Sequence, residues 1–321
     1  MSTLLTVNDC NLSLIDKKAT YPILNQIGFS VQAGETLALV GESGCGKSLT
    51  SLMITKLLPS NIFSYDSGEV DFLGRNLWSL APKDLRMIRG QEIAYVFQEP
   101  FSAFDPLQKV GKQMIEAPLV HSLSNEHQAR QKALSLLEKV GITDPEMRFD
   151  SYPGQLSGGM LQRASIAMSL MCDPKLLIAD EPTSAIDVTI QVQLVDLIQR
   201  IQKENKMGII FISHDIGLVS HLADQMGVMY AGRIVEIGNS DSILDSPTHP
   251  YTQGLLSSYP GNQKRGNKLE TIEGQVPQFK DYGNGCRFLN RCRKSQNDCK
   301  SWLPISKKSQ NGQKVECLIA R

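Results

Sequence analysis

Apolar positions along the chain change period several times, and each change marks an element. Residues 4–15 alternate loosely between apolar and polar, and residues 23–31 are apolar with β-branched members. This spacing predicts two strands joined at Asp16-Lys17-Lys18. Residues 36–40 predict a short buried strand running straight into a glycine-rich turn. Residues 47–58 predict a helix stopped by Pro59, whose ring and missing N–H cannot continue it. Further strands are predicted over 68–73 and 93–97. From 105 to 152 the period becomes helical, with Ala129, Leu134, Leu137 and Val140 recurring at three- and four-residue spacing. Residues 176–179 predict an apolar strand, 188–201 an amphipathic helix, and 208–212 another apolar strand. Strands alternating with helices place the core in the α/β class with a largely parallel sheet. After about residue 240 the regularity fades: Pro247, Pro250, Pro260 and Pro277 punctuate the chain, and residues 262–268 are polar and linker-like. A boundary is expected between 240 and 260.

The turn after the 36–40 strand carries the first chemistry. Gly41-Glu42-Ser43-Gly44-Cys45-Gly46-Lys47-Ser48 fits G-x-x-x-x-G-K-[ST]. Glycines let the backbone curl so that N–H groups converge on phosphate oxygens, and the following helix adds its positive end. Lys47 is placed to neutralise the β- and γ-phosphates, and Ser48 to ligate Mg²⁺. Cys45 occupies a free position of the loop. The 176–179 strand ends in Asp180-Glu181, at the edge where ligands of open α/β sheets gather. Asp180 is the candidate Mg²⁺ holder. Glu181 is the candidate general base for the water attacking the γ-phosphate. The long gap between loop and acids matches an inserted helical subdomain.

A second anion turn, Ser157-Gly158-Gly159, opens a helix running to about residue 171. Two phosphate turns of different kinds on one chain point to a dimer. Each nucleotide is then held between one chain's loop and the other chain's Ser-Gly-Gly turn.

From residue 4 to about 259 the sequence resembles the ATP-binding subunit of an ABC transporter. The resemblance implies a P-loop NTPase cassette over 1–259, with an antiparallel β-subdomain and an inserted α-helical subdomain over about 105–172. Gln98, closing the 93–97 strand, resembles the Q-loop glutamine that senses Mg²⁺ and contacts the membrane subunit. Ser184-Ala185-Ile186-Asp187 resembles the D-loop, with Ile186 where leucine is usual. His214 resembles the switch histidine at the γ-phosphate. Met160 stands where glutamine is commoner in the signature, a change familiar in peptide importers. The aromatic that stacks on adenine in the family would fall near Leu14; Tyr21 is the candidate substitute.

The tail narrows the subfamily. Thr248-His249-Pro250-Tyr251-Thr252 and Ile272-Glu273-Gly274-Gln275-Val276-Pro277 resemble the C-terminal extension of dipeptide, oligopeptide and nickel importer ATPases, here 260–321. Cys286, Cys292, Cys299 and Cys317 follow. Four thiolates suit zinc or an iron–sulfur cluster, although the C-x₂₋₄-C pairs usual for structural zinc are absent. The resemblance implies a 4Fe-4S cluster. Such a tail serves either as a staple for a segment too small to build its own core or as a redox switch.

The family further implies ATP and Mg²⁺, a second paralogous ATPase subunit forming a heterodimer, two transmembrane permease subunits and an extracytoplasmic substrate-binding protein. Peptides are the expected cargo, with nickel complexes and antimicrobial peptides as alternatives. Soluble cassettes of translation or DNA repair fit less well, because this chain has one cassette and no long coiled coil.

Composition sharpens these expectations. The 321 residues suggest about two domains at roughly 150 residues each. Lys+Arg and Asp+Glu both number 33, and this balance argues against a general nucleic-acid binder or a highly charged disordered chain. No apolar run of transmembrane length and no secretory pattern are present, so the expected place is the cytoplasmic face of the inner membrane, held peripherally by protein contacts. In that compartment disulfides are rare. The cysteines therefore divide into scattered Cys10, Cys45 and Cys172 and the ligand-like four of the tail.

Overall fold

The computed structural model describes residues 2–17, 19–183, 188–258, 271–302, 304–309 and 311–320, the side chains of 188–190 excepted. The expected D-loop, 184–187, lies outside the described residues. In chain order come β1 (Thr3–Asp16), β2 (Ala19–Gln32), β3 (Thr36–Val40), α1 (Lys47–Ile54), β4 (Phe63–Phe72), β5 (Arg75–Asn76), α2 (Pro82–Ile88) and β6 (Ile93–Val96). Then follow α3 (Val110–Val120), α4 (Glu126–Lys139), α5 (Pro145–Phe149), α6 (Gly158–Ser169), β7 (Leu176–Asp180), α7 (Val188–Asn205) and β8 (Gly208–Ser213). The remainder is α8 (Ile216–Leu222), β9 (Gln225–Tyr230), β10 (Arg233–Asn239), α9 (Ser240–Asp245), α10 (Pro250–Ser257), β11 (Lys307–Lys308) and β12 (Lys314–Val315).

The chain divides into two compact units. One comprises Met1–Leu4, Gln32–Glu35 and Ser79–Phe211; the other comprises Leu5–Val31, Thr36–Trp78 and Ile212–Arg321.

In the first unit β6 and β7 run parallel, with Ile93 opposite Leu176 and Val96 opposite Ala179, and β8 lies on the other side of β7. Every residue of β7 is buried. A strand covered on both faces reads as a continuous apolar run rather than an alternation, which is the pattern of 176–179. Within the span 105–172 the chain forms helices α3 to α6. A reciprocal capping box starts α4, with Asn125 accepting from the Gln128 N–H and Gln128 accepting from the Asn125 N–H. Ala129, Ala133 and Leu137 form the buried stripe of α4 at four-residue spacing. Arg163 of α6 donates to the Val140 carbonyl at 2.8 Å and so closes the C-terminal end of α4.

In the second unit a small antiparallel sheet has the order β2-β1-β4-β5. Pro22 is tolerated because β2 is its edge strand. A second set of strands has the order β11-β12-β10-β9-β3, with β3 parallel to β9 and the tail strands antiparallel on β10. The tail therefore folds onto the unit that carries the phosphate loop. Its anchor is a buried ion pair: Arg233 of β10 donates to Glu316 at 2.7 and 3.2 Å, and also to Gln26, Asn25 and the Pro304 carbonyl.

Three elements depart from expectation. The helix after the phosphate loop ends at Ile54, not 58, because Leu57 N–H bonds Leu52 C=O and Lys56 turns left-handed at φ 51°. This is a Schellman stop, and it acts before Pro59 is reached. Strand β4 starts at Phe63 rather than 68, since Phe63, Ser64 and Tyr65 pair with Leu14, Ser13 and Leu12. None of its first seven residues is buried and four of them are exposed, so hydropathy does not reveal its start. Strands β9 and β10 carried no sequence expectation; in β10, buried Arg233 and Glu236 break the apolar pattern, their charges met by the tail and by the turn leading into α10.

Among the described residues no helix is long and apolar enough to cross a membrane.

Candidate functional site

The phosphate loop spans the gap between β3 and α1, where the strand's five buried residues deliver the chain into the turn. Gly41 adopts φ 153°, and a Cβ there would lie 2.3 Å from the Met229 carbonyl oxygen. Gly46 adopts φ 109°, and its Cβ would meet Leu24 at 2.8 Å. Only glycine fits at these two points. Gly44, by contrast, faces open space, as a surface awaiting a ligand should. No side chain caps the N-terminus of α1, so its first N–H groups remain available to an anion. Lys47 is buried, and its Nζ donates to the Gly41 and Glu42 carbonyls at 2.8 and 3.2 Å. The loop holds its own cation in position. Ser43 is exposed and Ser48 half-buried. Burial pushes the Cys45 thiol up, so this cysteine is inert packing behind the loop.

Residues beyond the motif grip the loop. Tyr251 of α10 accepts the Glu42 N–H at 2.9 Å. Arg291 donates through both terminal nitrogens to the Glu42 carboxylate, at 3.0 Å each. The sequence marked 248–252 only as a family resemblance, and Arg291 not at all. In the same unit His214 is exposed just beyond β8. Tyr21 is half-buried in β2; its ring meets Phe279 edge-on at 5.6 Å, with Lys280 over its face.

The first unit carries the other expected residues. Asp180 ends β7 and is nearly buried at 7% exposure. The next residue, Glu181, takes a left-handed backbone at φ 44°. That conformation is disfavoured for a residue with a Cβ, and such strain concentrates where a side chain must be aimed. Gln98 Nε2 donates to Glu181 Oε2 at 2.9 Å, so the fold brings together two candidate residues 83 apart in sequence. Ser157 is exposed and caps α6 by accepting the Met160 N–H at 3.3 Å, with Gly158 and Gly159 in the first turn. The Ser-Gly-Gly turn thus presents a helix N-terminus outward.

The four tail thiols line one tight apolar cavity of about 10 Å³, with His249, Phe288 and Trp302 among its walls. Burial pushes the Cys286 thiol up to about 11 and raises Cys292 and Cys317. Among the described residues no group of three or more His, Cys, Asp or Glu stands close enough to hold a metal ion. The expected ligand set therefore converges without forming a metal site in this arrangement.

Residues 24–184 match the family model described as ABC transporter, and residues 235–299 match oligopeptide/dipeptide transporter, C-terminal region. The chain is 41% identical over 319 residues to the oligopeptide transport ATP-binding protein AppD of Bacillus subtilis (strain 168), covering 99% of this chain and 97% of that protein. It is 40% identical over 316 residues to the dipeptide transport ATP-binding protein DppD of Escherichia coli (strain K12), covering 98% and 96%. Among solved structures, the post-hydrolysis dimer of the ATP-binding cassette MJ0796 bound to ADP and Pi shares the fold, with a TM-score of 0.66 at 22% identity. That likeness covers 74% of this chain and 99% of the other.

Proposed function

Because the chain belongs to the ABC transporter ATP-binding proteins, an ATPase family, we propose that its hydrolysis of ATP drives import of di- or oligopeptides across the cytoplasmic membrane. The observation that carries this reading is the union on one chain of the cassette, 24–184, with the oligopeptide/dipeptide transporter C-terminal region, 235–299.

Backbone N–H groups of residues 43–48 and the start of α1 bind the phosphates, and Lys47 turns from the loop carbonyls to the β- and γ-oxygens. The oxygens of Ser48, Asp180 and Gln98 are hard donors suited to Mg²⁺, which when bound neutralises phosphate charge. Glu181 takes a proton from the attacking water, its carboxylate oriented by the Gln98 amide. His214 contacts the γ-phosphate. Tyr21, held edge-to-face against Phe279, is the aromatic assigned to adenine. Ser157, Gly158 and Gly159 face the nucleotide held by a second, paralogous ATPase subunit. Two transmembrane permease subunits dock near Gln98 and the α3–α6 subdomain, and an extracytoplasmic binding protein delivers the peptide. The chain then sits peripherally on the inner membrane's cytoplasmic face.

The 4Fe-4S assignment of Cys286, Cys292, Cys299 and Cys317 rests on the family resemblance and on four soft thiolates being the fitting donor set; they line one cavity of about 10 Å³, which would have to open to admit a cluster. Anaerobically purified protein should contain iron and acid-labile sulfide. Zinc without iron would overturn the assignment.

The decisive experiment uses the assembled transporter in vesicles. Glu181→Gln should retain ATP binding while lowering hydrolysis by about 100-fold or more, and uptake of a labelled dipeptide should fall with it. Dipeptide uptake indifferent to the substitution would refute the proposal.

A further inference from the structure

The C-terminal tail and α10 meet the phosphate loop at Glu42, and all three polar groups of that residue are engaged. Its N–H donates to Tyr251, its carbonyl accepts from Lys47, and its carboxylate receives the two-pronged contact from Arg291. The Arg291 side chain is 7% exposed, against 30% for Glu42. Arg291 is itself fixed: its Nε donates to the Glu273 carbonyl at 2.9 Å, its Nη2 to the Gly274 carbonyl at 3.2 Å, and its guanidinium lies over the Tyr230 ring. Its position therefore follows the fold of the tail rather than solvent.

The connection continues to the thiols. Cys292, the next residue, lines the cavity shared by Cys286, Cys299 and Cys317. Phe288 forms part of the same wall, and its ring packs at 5.1 Å from Tyr230 and 5.4 Å from Tyr251. The thiol cavity, the aromatic trio and the loop are thus consecutive layers of one packed core. Glu42 is the sole acid in the segment 41–48. An uncompensated carboxylate there would repel a triphosphate, and a bidentate guanidinium both cancels and orients it.

We propose that Arg291 is a positioning residue for the nucleotide: by pairing with Glu42 it fixes the first turn of the phosphate loop, so that the thiol-bearing tail sets the ATP affinity of the cassette. This rests on the reading of residues 41–48 as the ATP phosphate loop. A change in packing around Cys292 shifts Arg291, and Arg291 transmits it to Glu42.

The test is a double-substitution cycle on the full chain, read as the dissociation constant of a fluorescent ATP analogue. Arg291→Ala should weaken binding about tenfold, the scale of one charge-assisted hydrogen bond. Arg291→Lys keeps charge and bulk but loses the fork, and should weaken binding about threefold, a partial loss of that contact. In an E42Q background the effect of R291A should shrink to within about twofold, because the two residues act as a pair. Wild-type affinity in both Arg291 variants would overturn the proposal. So would an R291A loss of equal size in both backgrounds, which marks general damage to the tail. Should R291A not fold, R291K with and without E42Q decides by the same criterion. Lys47→Ala is the control: if it too binds ATP normally, the phosphate-loop reading fails rather than the role of Arg291.

Discussion

His249 should make this fold sensitive to mild acid. The residue is 1% exposed, and its Nδ1 accepts the Tyr251 N–H at 3.0 Å, capping α10. Nδ1 must therefore be unprotonated. Burial pulls its pKa down from the ordinary 6.5 to about 3. Between these values the unfolded chain binds a proton that the folded chain refuses, so stability rises with pH across that window. The contribution is complete above about pH 6.5 and is lost progressively as pH falls toward 3. At pH 5 the solution lies about one and a half units below the unfolded pKa, and at about 1.4 kcal/mol per unit the loss is about 2 kcal/mol. Urea unfolding of wild type and H249N at pH 7 and pH 5 measures it, because asparagine also caps a helix but does not titrate. Wild type should lose about 2 kcal/mol more than the variant between the two pH values. Parallel losses would refute the reasoning, since other acid-labile groups are common to both proteins.

Two further perturbations follow from the geometry. Arg233→Met strands the buried Glu316 carboxylate and should lower stability by about 3–5 kcal/mol, read as an earlier denaturation midpoint with the tail's proteolytic protection lost first. Gly41→Ala drives a methyl group onto the Met229 carbonyl and should abolish ATP-analogue binding; retained affinity would mean that the loop can open at β9.

The sequence announced chemistry more readily than architecture. Residues 41–48 were legible because phosphate binding demands glycine where φ is positive and lysine at a fixed offset, and both demands are local. The 176–179 strand was legible because burial on both faces erases polar residues from it. Strand β10 escaped for the opposite reason: Arg233 and Glu236 are buried charges whose partners lie far along the chain. Lys56 likewise hid the true end of α1, since a left-handed lysine carries no compositional signal. At the site, Gln98 and Glu181 were each named, and their contact is supplied by the fold. Arg291 and Tyr251 were invisible as loop residues, because an ion pair spanning 249 positions leaves no local pattern.

The left-handed backbone at Glu181 has an evolutionary corollary. An ordinary side chain held there costs on the order of 1 kcal/mol or more, and glycine would relieve it. Drift under selection for thermal robustness alone would therefore push position 181 toward glycine. With Glu181 as the proposed general base, a carboxylate persists there only while turnover is selected. In a lineage that ceases to transport, this site should decay early, and the decay should leave the cassette more heat-resistant than its working ancestor.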